Sequence, residues 1–299
     1  MTSQQNTVNE TYRALAVPVT GGDLHVGIWE PADPTGTVLA IHGITANHLS
    51  WPFLAAALPD YRIVAPDLRG RAGSCGLPGP YGMEQHVKDL VAVLDHLGLD
   101  RVDVVGHSMG AFVAVAFHQL QPERVNKLIL VDGGIPLQMP EGVDPQAALN
   151  ATLGPAADRL KMTFDSVQAY RNWFKQHPAF TTWTKQVEDY VDYDLTGTPP
   201  LLRPSTSIEA MTGDSIDMLG SQLLLDGVQN LGHATWLVAE RGMFDQPDGL
   251  YPKDYLEQWR PQLEGVRIIF VPELNHYTIV LSPEGSATIA DAVRTAEPA

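Results

Sequence analysis

Short runs of β-branched and aliphatic residues alternate with helical patterns through the first half of the chain. Turn residues bound each run, and this alternation is typical of a mainly parallel sheet flanked by helices. The strands predicted in this half are residues 12–19, 24–29, 37–41, 61–65, 102–105 and 127–131. Apolar residues recur every three or four positions over 83–97, and 109–121 is almost entirely apolar, so both segments are predicted helices.

The pattern changes between Ile135 and Leu231, where proline breaks, scattered aromatic residues and helical stretches replace the strands. Afterwards it resumes, with predicted strands at 234–239 and 266–271 and predicted helices at 253–263 and 283–295. Because the sheet pattern continues beyond the interruption, we expect one α/β core, residues 1–134 and 232–299, with a helical cap or lid inserted at 135–231.

Composition and charge narrow the range of partners. With 44% hydrophobic and 18% charged residues, the 299-residue chain has the makeup of a folded globular protein. Its formal net charge of −16 disfavours binding to nucleic acid or to an anionic membrane. We therefore expect a small-molecule partner, while the oligomeric state stays open.

The cysteine content and the N-terminal sequence bear on the cellular compartment in which the protein is expected. Cys75 is the only cysteine, which excludes an intrachain disulfide and a thiolate metal site. The first residues lack the pattern of a secretory signal, and no apolar run reaches membrane-spanning length. From these features we expect a cytoplasmic protein.

The segment Gly106-His107-Ser108-Met109-Gly110 fits the pattern G-x-S-x-G directly after a predicted strand and directly before a predicted buried helix. A sharp strand-to-helix turn needs small residues beside its central residue, and it raises that residue over the sheet edge at a helix N-terminus. The helix dipole and the free NH groups favour negative charge there. Ser108 is therefore the predicted nucleophile, and the Met109 NH is a predicted donor to the oxyanion.

Three ordered landmarks resemble the α/β-hydrolase superfamily over nearly the whole chain. Besides the G-x-S-x-G turn, they are the strand that ends in His42-Gly43, with Ile44 after it, the loop 67–74, which is similar to Asp-x-x-Gly-x-Gly-x-Ser with the second glycine displaced by one position, and Asn275-His276 after the last predicted strand. The resemblance implies the α/β-hydrolase fold, a mostly parallel central sheet flanked by helices, and makes the Ile44 NH the second oxyanion donor. Two such donors suit acyl transfer, so we expect neither a metal nor another cofactor.

A serine hydroxyl needs a neighbouring imidazole to take its proton. His276 follows the predicted strand 266–271, where a loop would lie over the carboxyl edge of the sheet, and it comes after the nucleophile in chain order, as this fold requires. Of the other histidines, His86, His96 and His118 lie on predicted helices, His233 opens a strand and His177 lies in the cap, while His42 belongs to the oxyanion strand and His107 is a variable position of the G-x-S-x-G turn. His276 is therefore the predicted base.

The acid of the triad is less clearly marked. Asp132 ends the predicted strand 127–131 and is followed by Gly133-Gly134, a turn that could present the carboxylate to the base. The location that is commoner in the family is the loop after strand 234–239, where this sequence departs from the usual pattern. Asp132 is preferred, and the alternatives in that loop remain Asp245, Asp248 and Glu240.

Aromatic residues in and near the predicted cap suggest an apolar pocket, and Trp51 and Trp173 are predicted substrate contacts. The sequence favours a carboxylesterase that acts on small to medium apolar esters through an acyl-enzyme. A lactonase, thioesterase, amidase, C–C bond hydrolase or perhydrolase of the same fold stays open, as does a non-catalytic ligand-binding protein. Haloalkane dehalogenases and epoxide hydrolases of this fold use an aspartate where Ser108 stands.

Overall fold

The computed structural model describes residues 12–138, 142, 144 and 154–299. An eight-stranded sheet forms its centre. Its strands are β1 (Tyr12–Val19), β2 (Gly22–Trp29), β3 (Gly36–Ile41), β4 (Tyr61–Pro66), β5 (Val102–His107), β6 (Val125–Val131), β9 (Ala234–Arg241) and β10 (Arg267–Asn275). They lie side by side in the order β1-β2-β4-β3-β5-β6-β9-β10. Within this sheet, β1 with β2 and β2 with β4 pair antiparallel, and the remaining neighbours along the order β4-β3-β5-β6-β9-β10 pair in parallel.

Helices cover both faces of the sheet, as expected for parallel strands that are buried on both sides. The helices outside the segment between β6 and β9 are α1 (Pro52–Ala57), α2 (Met83–His96), α3 (Met109–Leu120), α9 (Lys253–Trp259) and α10 (Pro283–Thr295). Successive strand side chains point to opposite faces. Leu39 and Ile41 thus join one apolar layer with α2 and α3, while Val38 and Ala40 join the other with α1 and α10. The predicted mostly parallel α/β sheet is confirmed.

Between β6 and β9, the part of the chain that the structure describes contains helical residues 154–160 (α4) and four further helices. These are α5 (Val167–Phe174), α6 (Lys185–Tyr193), α7 (Ile208–Met218) and α8 (Gln222–Gln229). The expectation that this segment lacks strands is wrong, because β7 (Leu195–Thr196) pairs antiparallel with β8 (Arg203–Pro204). The helix α8 packs on α3, where a Cβ on Gly227 would lie 2.7 Å from Val115 Cγ1. We therefore assign α8 to the helical layer of the core.

Two element ends differ from the sequence prediction for local reasons. The strand β10 continues past Pro272 to Asn275, because its pairing with β9 resumes at Asn275 in a shifted register, after an irregularity in which Glu273 has φ 61°. The predicted helix 253–263 instead ends at Trp259 and continues as a 3₁₀ turn, since Pro261 cannot continue the helical hydrogen bonds. None of the helices in the described residues combines the length and the apolar character needed to cross a bilayer.

Candidate active site

Ser108 lies between the end of β5 and the start of α3 in an uncommon backbone conformation, with φ 55° and ψ −125°. The two glycines of the motif make this turn possible. A Cβ on Gly106 would lie 2.2 Å from the carbonyl oxygen of Gly110, and one on Gly110 would lie 2.1 Å from that of Ile41. Any larger residue at either position would force the turn apart, so the motif glycines hold the serine at the end of the sheet.

His276 follows β10 directly, and its Nε2 lies 3.1 Å from Ser108 Oγ. The loop that carries it is shaped by Asn275, whose Oδ1 accepts the NH groups of Tyr277 at 3.0 Å and Thr278 at 2.9 Å. Within the G-x-S-x-G turn, His107 donates from Nε2 to the carbonyl of His276 at 2.8 Å. Burial holds the pKa of His107 well below its usual value, so this imidazole stays neutral at neutral pH.

Asp132 lies on the other side of the imidazole, with Oδ2 2.6 Å from His276 Nδ1. The carboxylate is fully buried, and its Oδ1 accepts the NH of Ala239 at 3.1 Å. An ionised carboxylate can only accept, so His276 Nδ1 carries the proton and Nε2 turns its lone pair to Ser108. The next residue must be glycine, because a Cβ on Gly133 would lie 2.2 Å from the carbonyl oxygen of Ser108.

The alternative carboxylates lie elsewhere. Asp245 accepts from Arg241 Nε at 2.8 Å and from Asn275 Nδ2 at 3.1 Å, so it braces the loop that precedes the base. Glu240 accepts the NH of Glu273 at 3.1 Å. Asp248 is exposed and has φ 66° in the same loop. Of the four candidate acids, Asp132 is the one that the fold brings to the imidazole.

Ile44 and Met109, the two predicted oxyanion donors, line one cavity together with Ser108 and His276. Met109 is the first residue of α3, where a backbone NH has no helical carbonyl to bind. The peptide that carries the Ile44 NH is fixed from its other end, because the Gly43 carbonyl accepts from His42 Nδ1 at 2.8 Å and from the Ala46 NH at 3.2 Å.

His42 has a structural position beneath this loop. Its Nδ1–H donates to the Gly43 carbonyl, so its Nε2 accepts, here from the Leu68 NH at 2.9 Å. Burial lowers the pKa of His42 to about 4. The neutral ring therefore joins the loop after β3 to the loop after β4 without moving protons.

The cavity over Ser108 has a largely apolar wall. Its apolar members outside the loop after β3 include Met109, Phe112, Leu137, Ala156, Met218, Met243, Leu250, Val280 and Leu281. Trp51 and Trp173, the predicted substrate contacts, are absent from the described residues that line it. Trp51 is fully buried in the core layer with α1, and Trp173 packs edge-on against Phe174 at 5.2 Å. Residue type alone did not separate core aromatics from wall residues, and no local pattern marks Met218 or Met243.

A second polar cluster lies near the loop after β4, where His25, His48 and Asp67 bring potential metal-ligand atoms within 4.8 Å of one another. Hydrogen bonds already account for the two buried members. Asp67 accepts from His48 Nδ1 at 3.0 Å, the Gly73 NH at 3.0 Å and the Tyr193 hydroxyl at 2.8 Å. His48 Nε2 is in turn 2.9 Å from the Tyr12 hydroxyl. The cluster thus works as a hydrogen-bond network that ties α6 to the core.

Comparison with known sequences identifies the family. A family model described as the alpha/beta hydrolase fold matches residues 36–206, more than half of the chain. The lipase LipV of Mycobacterium tuberculosis is 39% identical over 142 residues, which are 46% of this chain and 54% of that protein. A 2-hydroxy-6-oxo-2,4-heptadienoate hydrolase of Pseudomonas putida is 34% identical over 113 residues, 36% of this chain and 41% of that protein. The chain thus spans about half the length, or less, of these curated relatives.

Solved structures match over nearly the whole chain. The E-2-(acetamidomethylene)succinate hydrolase has a TM-score of 0.77 at 18% identity, over 95% of this chain and 100% of that one. The thioesterase domain from the curacin biosynthetic pathway has a TM-score of 0.73 at 19% identity, over 95% and 99% of the two chains. At such identities the likeness shows the fold alone.

Proposed function

The chain belongs to the α/β-hydrolase family, and from this premise we propose that it is a serine hydrolase that cleaves carboxylic esters through an acyl-enzyme. The observation that carries the proposal is the continuous line of contacts from Ser108 Oγ to His276 Nε2, at 3.1 Å, and from His276 Nδ1 to Asp132 Oδ2, at 2.6 Å. A nucleophile, a base and an acid in hydrogen-bond reach of one another form the arrangement that acyl transfer needs.

In the proposed first half-reaction, Ser108 Oγ attacks the ester carbonyl while His276 Nε2 takes the hydroxyl proton. The carbonyl oxygen becomes an oxyanion, which the NH groups of Ile44 and Met109 stabilise. Asp132 holds the imidazolium through Nδ1–H. Collapse of the tetrahedral intermediate breaks the bond to the alcohol oxygen, which receives the proton from His276. Water, deprotonated by His276, then attacks the acyl-enzyme. The second tetrahedral intermediate collapses with cleavage of the bond to Ser108 Oγ, which takes the proton back from His276 as the acid leaves.

The apolar wall of the cavity supports an ester with an uncharged, apolar acyl or alcohol part. A charged group there would lose its hydration without a partner among side chains such as Phe112, Met218 and Leu281. Relatives and structural neighbours carry the names lipase, 2-hydroxy-6-oxo-2,4-heptadienoate hydrolase and thioesterase. The carboxylic ester is the choice that the apolar wall and the lipase relative jointly favour.

The test is the hydrolysis of p-nitrophenyl acetate and butyrate by the parent protein and by Ser108→Ala. We expect the parent to release p-nitrophenol with a Ser108-dependent rate and to react at Ser108 with a fluorophosphonate probe. Equal release by the two variants, with no labelling at Ser108, would leave a ligand-binding protein as the better account. Rapid turnover of a thioester or a C–C substrate with no ester turnover would replace the substrate class and keep the mechanism.

A further inference from the structure

Arg71 is fully buried in the loop after β4, and its guanidinium contacts both residues that carry the proposed oxyanion amides. Its Nε donates to the carbonyl of Ile44 at 3.0 Å, and its Nη2 lies 3.8 Å from Met109 Sδ. The third nitrogen, Nη1, donates to the carbonyl of Arg69 at 2.7 Å. One planar group thus joins the loop after β3, the loop after β4 and the start of α3.

The charge of Arg71 is balanced by a residue from a distant part of the chain. Asp214 on α7 is fully buried, and its Oδ2 lies 2.5 Å from Arg71 Nη1. The other oxygen of Asp214 accepts the NH of Gly82 at 2.6 Å and lies 3.0 Å from His86 Nε2. These contacts hold the pKa of Asp214 well below its usual range, so the carboxylate stays charged opposite the guanidinium.

The helix that supplies Asp214 is itself fixed to the core. The helix α2 has Gly82 at its N-cap, which offers no side chain to its first NH groups. Asp214 accepts the NH of Gly82, and Asp217, one turn later on α7, accepts the NH of Met83 at 2.8 Å. Two carboxylates of α7 therefore cap α2, and this double attachment makes Asp214 a firm anchor for Arg71.

We propose that Arg71 is a positioning residue for the oxyanion hole: it fixes Ile44 and Met109 in register with each other, and Asp214 fixes Arg71. The Gly43 carbonyl already holds the peptide before Ile44 through His42 and Ala46. Arg71 holds the peptide after it, so the Ile44 NH is constrained from both sides. The inference rests on the proposed function, because it assigns a task in the stabilisation of the oxyanion.

The chain offers a matched control two residues away. Arg69 is as deeply buried as Arg71 and makes an ion pair with Asp89 at 2.7 Å, but its guanidinium binds the carbonyls of Thr20 and Pro78, away from the oxyanion loop. Replacing either arginine by methionine keeps an unbranched side chain and removes one buried charge. The two variants therefore share the structural damage and differ in contact with Ile44 and Met109.

The experiment compares Arg71→Met, Arg69→Met and the parent in p-nitrophenyl butyrate hydrolysis, with inhibition by butylboronic acid and thermal unfolding measured alongside. A boronate on Ser108 becomes tetrahedral and places an oxygen in the hole. For Arg71→Met we expect kcat to fall about 10²-fold with KM within about threefold, and boronate inhibition to weaken in parallel, since a displaced donor weakens only the transition state. Arg69→Met should keep kcat and boronate inhibition within about threefold of the parent.

Two further variants keep the inference testable if Arg71→Met does not fold. Arg71→Lys retains the charge opposite Asp214 but lacks the planar fork that reaches three acceptors, so it should fold and still lose more than about tenfold in kcat. In the double variant Arg71→Met/Asp214→Asn, removal of the unpaired carboxylate should raise Tm above that of Arg71→Met without restoring kcat.

Failure of the inference and failure of the proposed function give different results. If release in the parent does not depend on Ser108, the function and the inference are both overturned. If release depends on Ser108 and the folded Arg71 variants keep the kcat and the boronate inhibition of the Arg69 control, the function stands and the positioning role of Arg71 is overturned. A loss of kcat and of boronate inhibition confined to the Arg71 variants supports the inference.

Discussion

The two sides of the candidate active site are built by different means. On the base side, Asp132 and His276 directly follow β6 and β10, and sheet backbone fixes Asp132, whose NH donates to the Leu237 carbonyl and whose Oδ1 accepts the Ala239 NH. On the oxyanion side, Ile44 lies in a loop outside the sheet. Besides the Ala46 NH, the groups that hold this loop are buried side chains, those of His42 and of the pair Arg71 and Asp214.

This difference shows what each side has to achieve. A carboxylate and an imidazole must share one proton along a fixed line, and parallel strands whose carboxyl ends meet at one edge deliver that geometry. The oxyanion amide of Ile44 belongs to a loop peptide that can rotate, so further hydrogen bonds must hold that peptide in place. The predictions below test the two sides in turn, from the largest expected effect to the smallest.

The largest effect is expected at Asp132, the proposed acid. Asp132→Asn keeps the size of the side chain, but with Oδ1 still accepting the Ala239 NH it turns its amide NH2, a donor, toward His276 Nδ1, so the imidazole would present the wrong tautomer to Ser108. We expect kcat for p-nitrophenyl butyrate to fall about 10⁴-fold, in line with such substitutions in catalytic triads. The matched control is Asp245→Asn, whose carboxylate binds Arg241 and Asn275, and it should stay within about threefold. A greater loss at Asp245 than at Asp132 would move the acid to the loop after β9.

The second-largest effect is expected at Gly133, where the chain passes close to Ser108, the proposed nucleophile. In Gly133→Ala the new Cβ would lie 2.2 Å from the carbonyl oxygen of Ser108, and backbone must shift to relieve the clash. We expect kcat to fall about 10²-fold and Tm to drop, because a shift of about 1 Å misaligns the serine. Gly76→Ala is the control, since a Cβ there meets nothing within 4 Å. Parent-like kcat in a folded Gly133→Ala would show that this contact does not set the serine geometry.

The base side was largely predictable because its signals are local. The motif glycines around Ser108 and the position of His276 after a strand can be read within a few residues. Asp132 was preferred for the same reason, as a carboxylate at a strand end followed by two glycines. The departure from the common loop pattern after β9 now has a physical account, since Asp245 braces Asn275 there instead.

The oxyanion side was only partly predictable because its brace is made of long-range pairs. Arg71 and Asp214 are each unremarkable in the sequence, and only the folded chain brings them to 2.5 Å. The prediction of the pocket residues failed for a related reason. Trp51 and Trp173 were predicted contacts on residue type, but packing buries one in the core and turns the other against Phe174. A pattern of apolar residues gives burial without saying which cavity, if any, a side chain faces.

The third prediction uses pH to test the oxyanion side. The folded pKa of His42 is about 4, against about 6.5 in an unfolded chain, so between these values the unfolded state binds the extra proton. The stability from His42 is therefore present above pH 6.5 and is lost as pH falls, by about 2 kcal/mol between pH 7 and pH 5. Urea unfolding at both pH values should show this loss, and His42→Gln should reduce the pH dependence by about 2 kcal/mol, leaving the part that comes from other buried imidazoles such as His107. His233→Gln, at an exposed imidazole, is the control, and an unchanged slope in His42→Gln would exclude His42 as the source.

The smallest effect is expected at the ion pair between Arg241 and Asp245, on the surface of the base side. Both side chains are about 30% exposed, and water and salt screen such pairs, in contrast to the buried pair at Arg71. Asp245→Asn should lower Tm by no more than about 2 °C, and the difference should shrink in 0.5 M salt, whereas Asp214→Asn should lower Tm several times further because it leaves a buried guanidinium without its partner. Equal shifts in the two variants would mean that the Arg71–Asp214 pair stabilises the protein no more than a surface ion pair does. The contrast between the two sides of the site would then be wrong.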